Sequence, residues 1–161
     1  MKSEIRKDYI QEKYVIIAPK RGKRPHDVEK PKRDKPVKQD ECVFCPERIK
    51  RAGKILLTVN ESLESKEPWA VKVLANKFPS VSIKNPKAYG QQEVVVETPS
   101  HKKEIEDLSV KRISKILDVY SQRTRAISQD KKIDYILIFK NDGGAAGASL
   151  QHAHSQIFAT E

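Results

Sequence analysis

A chain of 161 residues with two cysteines, 37% hydrophobic residues and a net charge of +10 is long enough to bury about two thirds of its unfolded surface without covalent staples. No apolar run reaches the length of a membrane span, and the start Met1-Lys2-Ser3-Glu4 lacks the apolar stretch of a signal peptide, so a cytoplasmic, enzyme-like single domain covering 1–161 is expected. The charge invites a nucleic-acid reading, but residues 20–38 hold nine Lys or Arg against three Asp or Glu, and no aromatic is interleaved there to stack on bases; nucleic acid is not the expected partner.

In chain order, residues 15–18 read as a strand. Residues 20–38 follow, with Pro25, Pro31 and Pro36 and almost no apolar side chain; they read as an extended, solvated basic loop. Arg21 and Arg24, close to the strand end, are the members placed to meet phosphate. Cys42-Val43-Phe44-Cys45 has metal-ligand spacing, because two intervening residues let both thiolates turn toward one ion. A redox pair and two core cysteines are the alternatives to a metal site for the motif by itself. Residues 55–59 and 70–74 read as strands with Glu67-Pro68-Trp69 turning between them, and 93–97 as a third, ended by Pro99-Ser100. One long helix comes next: Val110, Ile113, Ile116, Leu117, Tyr120 and Ile127 fit a 3.6-residue period, and Asp107 or Ser109 is positioned to cap it. Residues 135–139 and 151–159 complete the sheet. The expected class is α+β, an antiparallel sheet with one long helix packed on it and a basic N-terminal loop.

The run His152-Ala153-His154-Ser155-Gln156 follows the small-residue loop 141–149. In a strand, successive side chains alternate faces, so His152, His154 and Gln156 are expected to form one polar row beside a loop that a ligand can approach closely. A lone histidine on a half-buried strand is usually structural; three polar residues at period two behind a Gly/Ala/Ser loop favour a site. Asn141, the Gly147 amide and Ser149 are candidate phosphate contacts, with plain turn chemistry as the alternative.

This segment resembles the histidine-triad superfamily, and more closely its galactose-1-phosphate uridylyltransferase branch, in which glutamine replaces the last histidine as Gln156 does here. The likeness extends along the chain. Residues 5–8 with 14–25 are similar to that branch's N-terminal strand and arginine segment, Cys42-x-x-Cys45 to its CxxC, and Asn76-Lys77-Phe78-Pro79 to its nucleotide-contacting turn; Ser100-His101-Lys102, Phe139-Lys140-Asn141 and Gly147-Ala148-Ser149 follow in order.

The resemblance implies a histidine-triad-like fold, a closed structural Cys₂His₂ zinc held by Cys42, Cys45, His101 and His152, and nucleotide contacts from Asn76 and Phe78. His154 is then left for chemistry. A neutral imidazole needs no proton loss before attacking phosphorus, and Gln156 can donate to a non-bridging oxygen but cannot protonate a leaving group. The implied activity is transfer of a nucleoside monophosphate between a nucleotide sugar and a sugar 1-phosphate through a nucleotidyl-histidine. Two departures broaden that reading: Ala153 stands where the branch usually has proline, and Gln151 where another proline is common. A nucleotide-sugar or dinucleotide phosphorylase or hydrolase, and a catalytically weak nucleotide-binding half-domain, are the alternatives. Family proteins carry a second, similar half, so either a missing C-terminal half or pairing with a second copy is expected.

Overall fold

The computed structural model describes residues 2–19, 38–61, 65–142 and 150–161. Arg21, Arg24, Gly147, Ser149 and the basic loop up to residue 37 lie outside the described residues.

Five strands form one antiparallel sheet in the order β3-β4-β5-β7-β6. They are β3 (Ile55–Val59), β4 (Val71–Ala75), β5 (Gly90–Val96), β6 (Tyr135–Phe139) and β7 (His154–Thr160). The α+β expectation therefore holds, with one main helix, α2 (Val110–Ile127). A short α1 (Ile49–Ala52), which the sequence gives no periodicity to predict, follows the cysteine motif. A separate hairpin of β1 (Glu4–Lys7) and β2 (Tyr14–Ile17) is tied on by Ile5 N–H to Lys87 O, 2.8 Å, and by Asn85 Nδ2 to Ser3 O, 2.6 Å.

Strand alternation gives the sheet two chemically distinct faces. On one face Val71, Val73, Val95, Ile157 and Ala159 pack against Ile116, Val119 and Ile127 of α2. On the other face Leu74, Val94 and Val96 pack against Cys42, Phe44, Cys45, Ile49 and Trp69. The cysteine motif and the helix thus lie on opposite sides of β5. Gly90 sits where β5 crosses β7 at close range: a Cβ there would lie 2.1 Å from the Ala159 carbonyl oxygen, and its φ is +151°, so no other residue fits this start of the strand.

Ser109 caps α2, its hydroxyl accepting from Arg112 N–H at 3.3 Å. The helix's buried face differs from the predicted one at its edges. Val110 and Leu117 are exposed, whereas Arg112 is buried, because its guanidinium donates to Ala70 O at 2.7 Å and pairs with Glu67 and, at 3.3 Å, Glu61.

Glu93 and Glu97 bracket the valine run of β5 and face α2. Arg123 grips Glu93 with two bonds, 2.9 and 2.7 Å, and the Glu93 side chain is only 3% exposed. Removing one partner of a buried pair strands the other charge. Arg123→Ala is therefore expected to lower stability by about 2–3 kcal/mol, read as a fall in the urea midpoint, and Glu93→Gln in that background is expected to recover part of the loss. No recovery would mean that the arginine acts through packing alone.

Candidate metal centre and active site

Cys42 and Cys45 come from the loop before α1, His101 from the loop after β5, and His152 from the residues just before β7. His152 was expected to share the motif strand, but β7 begins at His154. The side chain of His152 is claimed from both sides instead. Its Nε2 donates to the Thr98 carbonyl at 2.8 Å. A carbonyl only accepts, so Nε2 carries the proton and Nδ1 presents its lone pair.

That Nδ1 lies 3.5 Å from Cys42 Sγ and 3.8 Å from Cys45 Sγ, while His101 Nδ1 lies 3.5 Å from Cys45 Sγ. A tetrahedral ion with ligands at about 2.0–2.3 Å has ligand–ligand edges of roughly 3.3–3.8 Å. The four ligand atoms all fall within 4.8 Å of one another, and this group could hold a metal ion. Both cysteines are buried and unbridged. Burial, with Cys42 alongside, pushes the Cys45 thiol up to about 12, so a cation entering here must displace a firmly held proton. Burial also draws His152 below the ordinary imidazole value, against the pull of its Thr98 hydrogen bond, which favours an unprotonated Nδ1. Donor set and spacing fit zinc.

His154 lies beside this cluster and outside it. Its Nδ1–H donates to the His152 carbonyl at 2.8 Å, which leaves the Nε2 lone pair for a ligand. Burial, opposed by that hydrogen bond and aided by the Lys140 charge, holds the ring below the usual imidazole range. Phe44, inside the cysteine motif, packs against both histidines, its ring 5.1 Å from that of His154 and 6.1 Å from that of His152. Gln156 is on the same strand face as His154, and the buried Ser155 lies on the helix side.

Behind the strand is a buried polar cluster that sequence reasoning missed. Glu97, fully buried, accepts from Ser155 Oγ, from Tyr120 Oη at 3.1 Å and from Lys140 Nζ at 2.7 Å. Glu97 N–H also donates to Ala153 O at 3.2 Å. Glu97 and Thr98 together therefore grip the backbone and the ring of the His152–His154 segment. A carboxylate ending the valine run of β5, and a serine on the apolar side of β7, are the signals that could have revealed it.

Asn76 and Phe78 form a turn after β4. Asn76 Oδ1 accepts from Phe78 N–H at 2.9 Å, and Phe78 is 43% exposed rather than in the core. Asn76 N–H donates to Gln92 O at 2.9 Å, placing this turn beside β5. Asn141 lies two residues beyond the end of β6, after Lys140.

The family model described as "Galactose-1-phosphate uridyl transferase, N-terminal domain" matches residues 1–161. The chain belongs to this family. Among curated relatives it is 32% identical to an ADP-glucose phosphorylase of Arabidopsis thaliana, over 97% of the chain and 48% of that protein. It is 29% identical to a galactose-1-phosphate uridylyltransferase of Thermotoga maritima, over 97% of the chain and 46% of that protein. The solved structure of the Arabidopsis thaliana ADP-glucose phosphorylase with bound ADP-glucose superposes with a TM-score of 0.65 at 30% identity, covering 99% of the chain and 49% of that structure. A histidine triad nucleotide-binding protein of Sulfolobus tokodaii, at 21% identity and a TM-score of 0.51, shares the fold. The chain thus spans about half the length of the curated family relatives it matches. Among the described residues, no helix is long and apolar enough to cross a membrane.

Proposed function

We propose that this chain carries the nucleotide-handling half of a nucleotidyltransferase, with His154 as covalent nucleophile. His154 Nε2 attacks the α-phosphorus of a nucleotide sugar. The bond from that phosphorus to the bridging oxygen breaks, and the sugar phosphate leaves as an anion that needs no proton from Gln156. An acceptor phosphate oxygen then attacks the nucleotidyl-histidine, the P–N bond breaks, and the imidazole returns with its Nδ1 proton never having moved. The supporting observation is the His154 Nδ1–H bond to the His152 carbonyl, which fixes the tautomer a nucleophilic Nε2 requires.

Gln156 is read as the amide donor to a non-bridging oxygen of the same phosphorus. Asn76 and Phe78 are read as nucleotide contacts, with Asn141, Gly147, Ser149, Arg21 and Arg24 as phosphate contacts. Cys42, Cys45, His101 and His152 would hold a zinc ion with all four ligands from the protein, and the ion would then supply structural bracing rather than chemistry. The remaining sugar contacts are assigned to a second half or a second copy. β6, the sheet edge, leaves Tyr135 and Leu137 exposed for such a neighbour.

Phosphorolysis is the second reading, favoured by the relative that is an ADP-glucose phosphorylase and by Ala153 and Gln151 in place of the transferase branch's prolines. One experiment separates the two. The protein is incubated with UDP-glucose or ADP-glucose radiolabelled in the α-phosphate, and an acid-labile, base-stable protein label is expected. Label that moves to added galactose 1-phosphate supports the transferase, and label that moves to inorganic phosphate supports the phosphorylase. Nucleotide binding with no label at all rejects the covalent reading.

A further inference from the structure

An amide side chain can face a ligand with either its N–H₂ or its carbonyl, and only one of these stabilises a phosphate. What sets the direction of Gln156 lies in a short chain of hydrogen bonds running away from the site. Ser80 N–H donates to Gln92 Oε1 at 3.2 Å, and Ser80 Oγ donates to the same oxygen at 3.3 Å. A backbone N–H has no alternative role, so it fixes which end of the Gln92 amide is oxygen. The other end, Gln92 Nε2, donates to Gln156 Oε1 at 2.8 Å. With its oxygen engaged, Gln156 turns its own N–H₂ group to the remaining side.

The hydrogen-bond chain starts in the interior and ends at the half-buried Gln156. Ser80 is 9% exposed and Gln92 6%, so a reversed amide in the chain would set two buried donors, or two buried acceptors, against each other. Gln92 lies directly across from Phe158 in the β5–β7 pairing, two residues along from the Val94–Gln156 pair and therefore on the same face. The Gln92 carbonyl also accepts from Asn76 N–H at 2.9 Å. One residue thereby joins the Asn76–Ser80 turn to the proposed phosphate donor.

We propose that Gln92 is a positioning residue: anchored by Ser80, it locks the Gln156 amide with its N–H₂ toward the transferred phosphorus. The proposal rests on the reading of Gln156 as a phosphate donor, and it makes an unusual ordering of variants. Gln92→Leu removes the partner and lets the Gln156 amide rotate. Gln92→Glu keeps the size and can still accept from Ser80, but it offers an oxygen to Gln156. The Gln156 amide must then turn its N–H₂ inward and its carbonyl toward the phosphate. The near-isosteric variant is therefore expected to be the worse of the two.

The rate of protein labelling from ADP-glucose or UDP-glucose should fall about tenfold in Gln92→Leu and about a hundredfold or more in Gln92→Glu. In a Gln156→Leu background the two should become equal. A milder effect of Glu than of Leu, or a difference that persists in that background, would overturn the proposal, because a residue that merely packs is best replaced by its closest isostere. A second readout needs neither turnover nor the glutamate variant. In the ¹⁵N spectrum of the unliganded protein, the Gln92 side-chain N–H₂ should exchange slowly with water and should shift and lose protection in Gln156→Leu. An unchanged Gln92 signal refutes the relay. A wild-type protein that forms no label but shows the protected amide retains the relay and discards the covalent mechanism.

Discussion

His154→Gln is expected to abolish the covalent label and to reduce any nucleotidyl transfer by roughly 10⁴-fold or more, the scale on which removing a catalytic nucleophile acts. The glutamine fills similar space, but its amide nitrogen has no lone pair available for attack on phosphorus. The same substitution should leave metal content and melting temperature nearly unchanged, because His154 lies outside the four residues whose ligand atoms converge and makes its ring hydrogen bond to a backbone carbonyl of its own segment. Nucleotide affinity should also persist, since binding contacts are assigned elsewhere. Glucose 1-phosphate release from ADP-glucose, metal analysis and calorimetric titration of the nucleotide check the three parts separately. Label surviving in the variant would assign the nucleophile to another residue. A loss of metal would mean that His154, rather than one of the four, is a ligand.

The contrast between neighbouring histidines explains how much of this site was legible in the sequence. Period-two spacing placed His154 and Gln156 on one face, and β7 has that alternation, with buried Ser155, Ile157 and Ala159 interleaved. The same rule fails at His152. Strand geometry ends where a side chain finds partners better than the next ladder bond, here the Thr98 carbonyl and the cysteine sulfurs. Neither partner is a neighbour in sequence: Cys42 and His152 are 110 positions apart. Composition and spacing could reach the CxxC but not its completion, which came from family likeness alone. The cluster of Glu97, Lys140, Ser155 and Tyr120 was illegible for a related reason. Each residue looks ordinary in its own segment, and only the register Val95 opposite Ser155, with α2 laid across that face, assembles them. Apolar periodicity, by contrast, is a local signal. The cores of β4, β5 and α2 were readable for that reason, and the deviations in α2 are the exposed Val110 and Leu117 and the buried Arg112, whose ion-pair partners Glu61 and Glu67 come from a distant segment.

The second large effect concerns the metal centre. Cys42→Ser is expected to release about one zinc per chain and to lower stability by about 4 kcal/mol, the range reached when a structural metal is lost. Cys42 and Cys45 are 1% and 0% exposed, and they pack with Phe44, Ile49, Trp69, Leu74, Val94 and Val96 in a core of their own on the sheet face opposite α2. An ion there would join three segments, the loop before α1, the loop after β5 and the approach to β7, of which the last two are already tied by hydrogen bonds, from Glu97 N–H to Ala153 O and from His152 Nε2 to Thr98 O. Without it, buried thiols and imidazoles face one another with no charge to organise them, and Phe44 loses the fixed surface against which His154 rests. The consequence for chemistry is therefore indirect but large. Labelling at His154 should fall together with stability in Cys42→Ser, and a strong chelator should reproduce both losses in the unmodified protein. Adding zinc back should restore them only in the unmodified protein. The order of events separates bracing from catalysis. If the ion only braces, the label already formed on His154 should transfer to an acceptor at an undiminished rate when chelator is added after labelling and before unfolding begins. A transfer step that stops at once on chelation would give the ion a part in the reaction and remove the closed, four-ligand reading of the site.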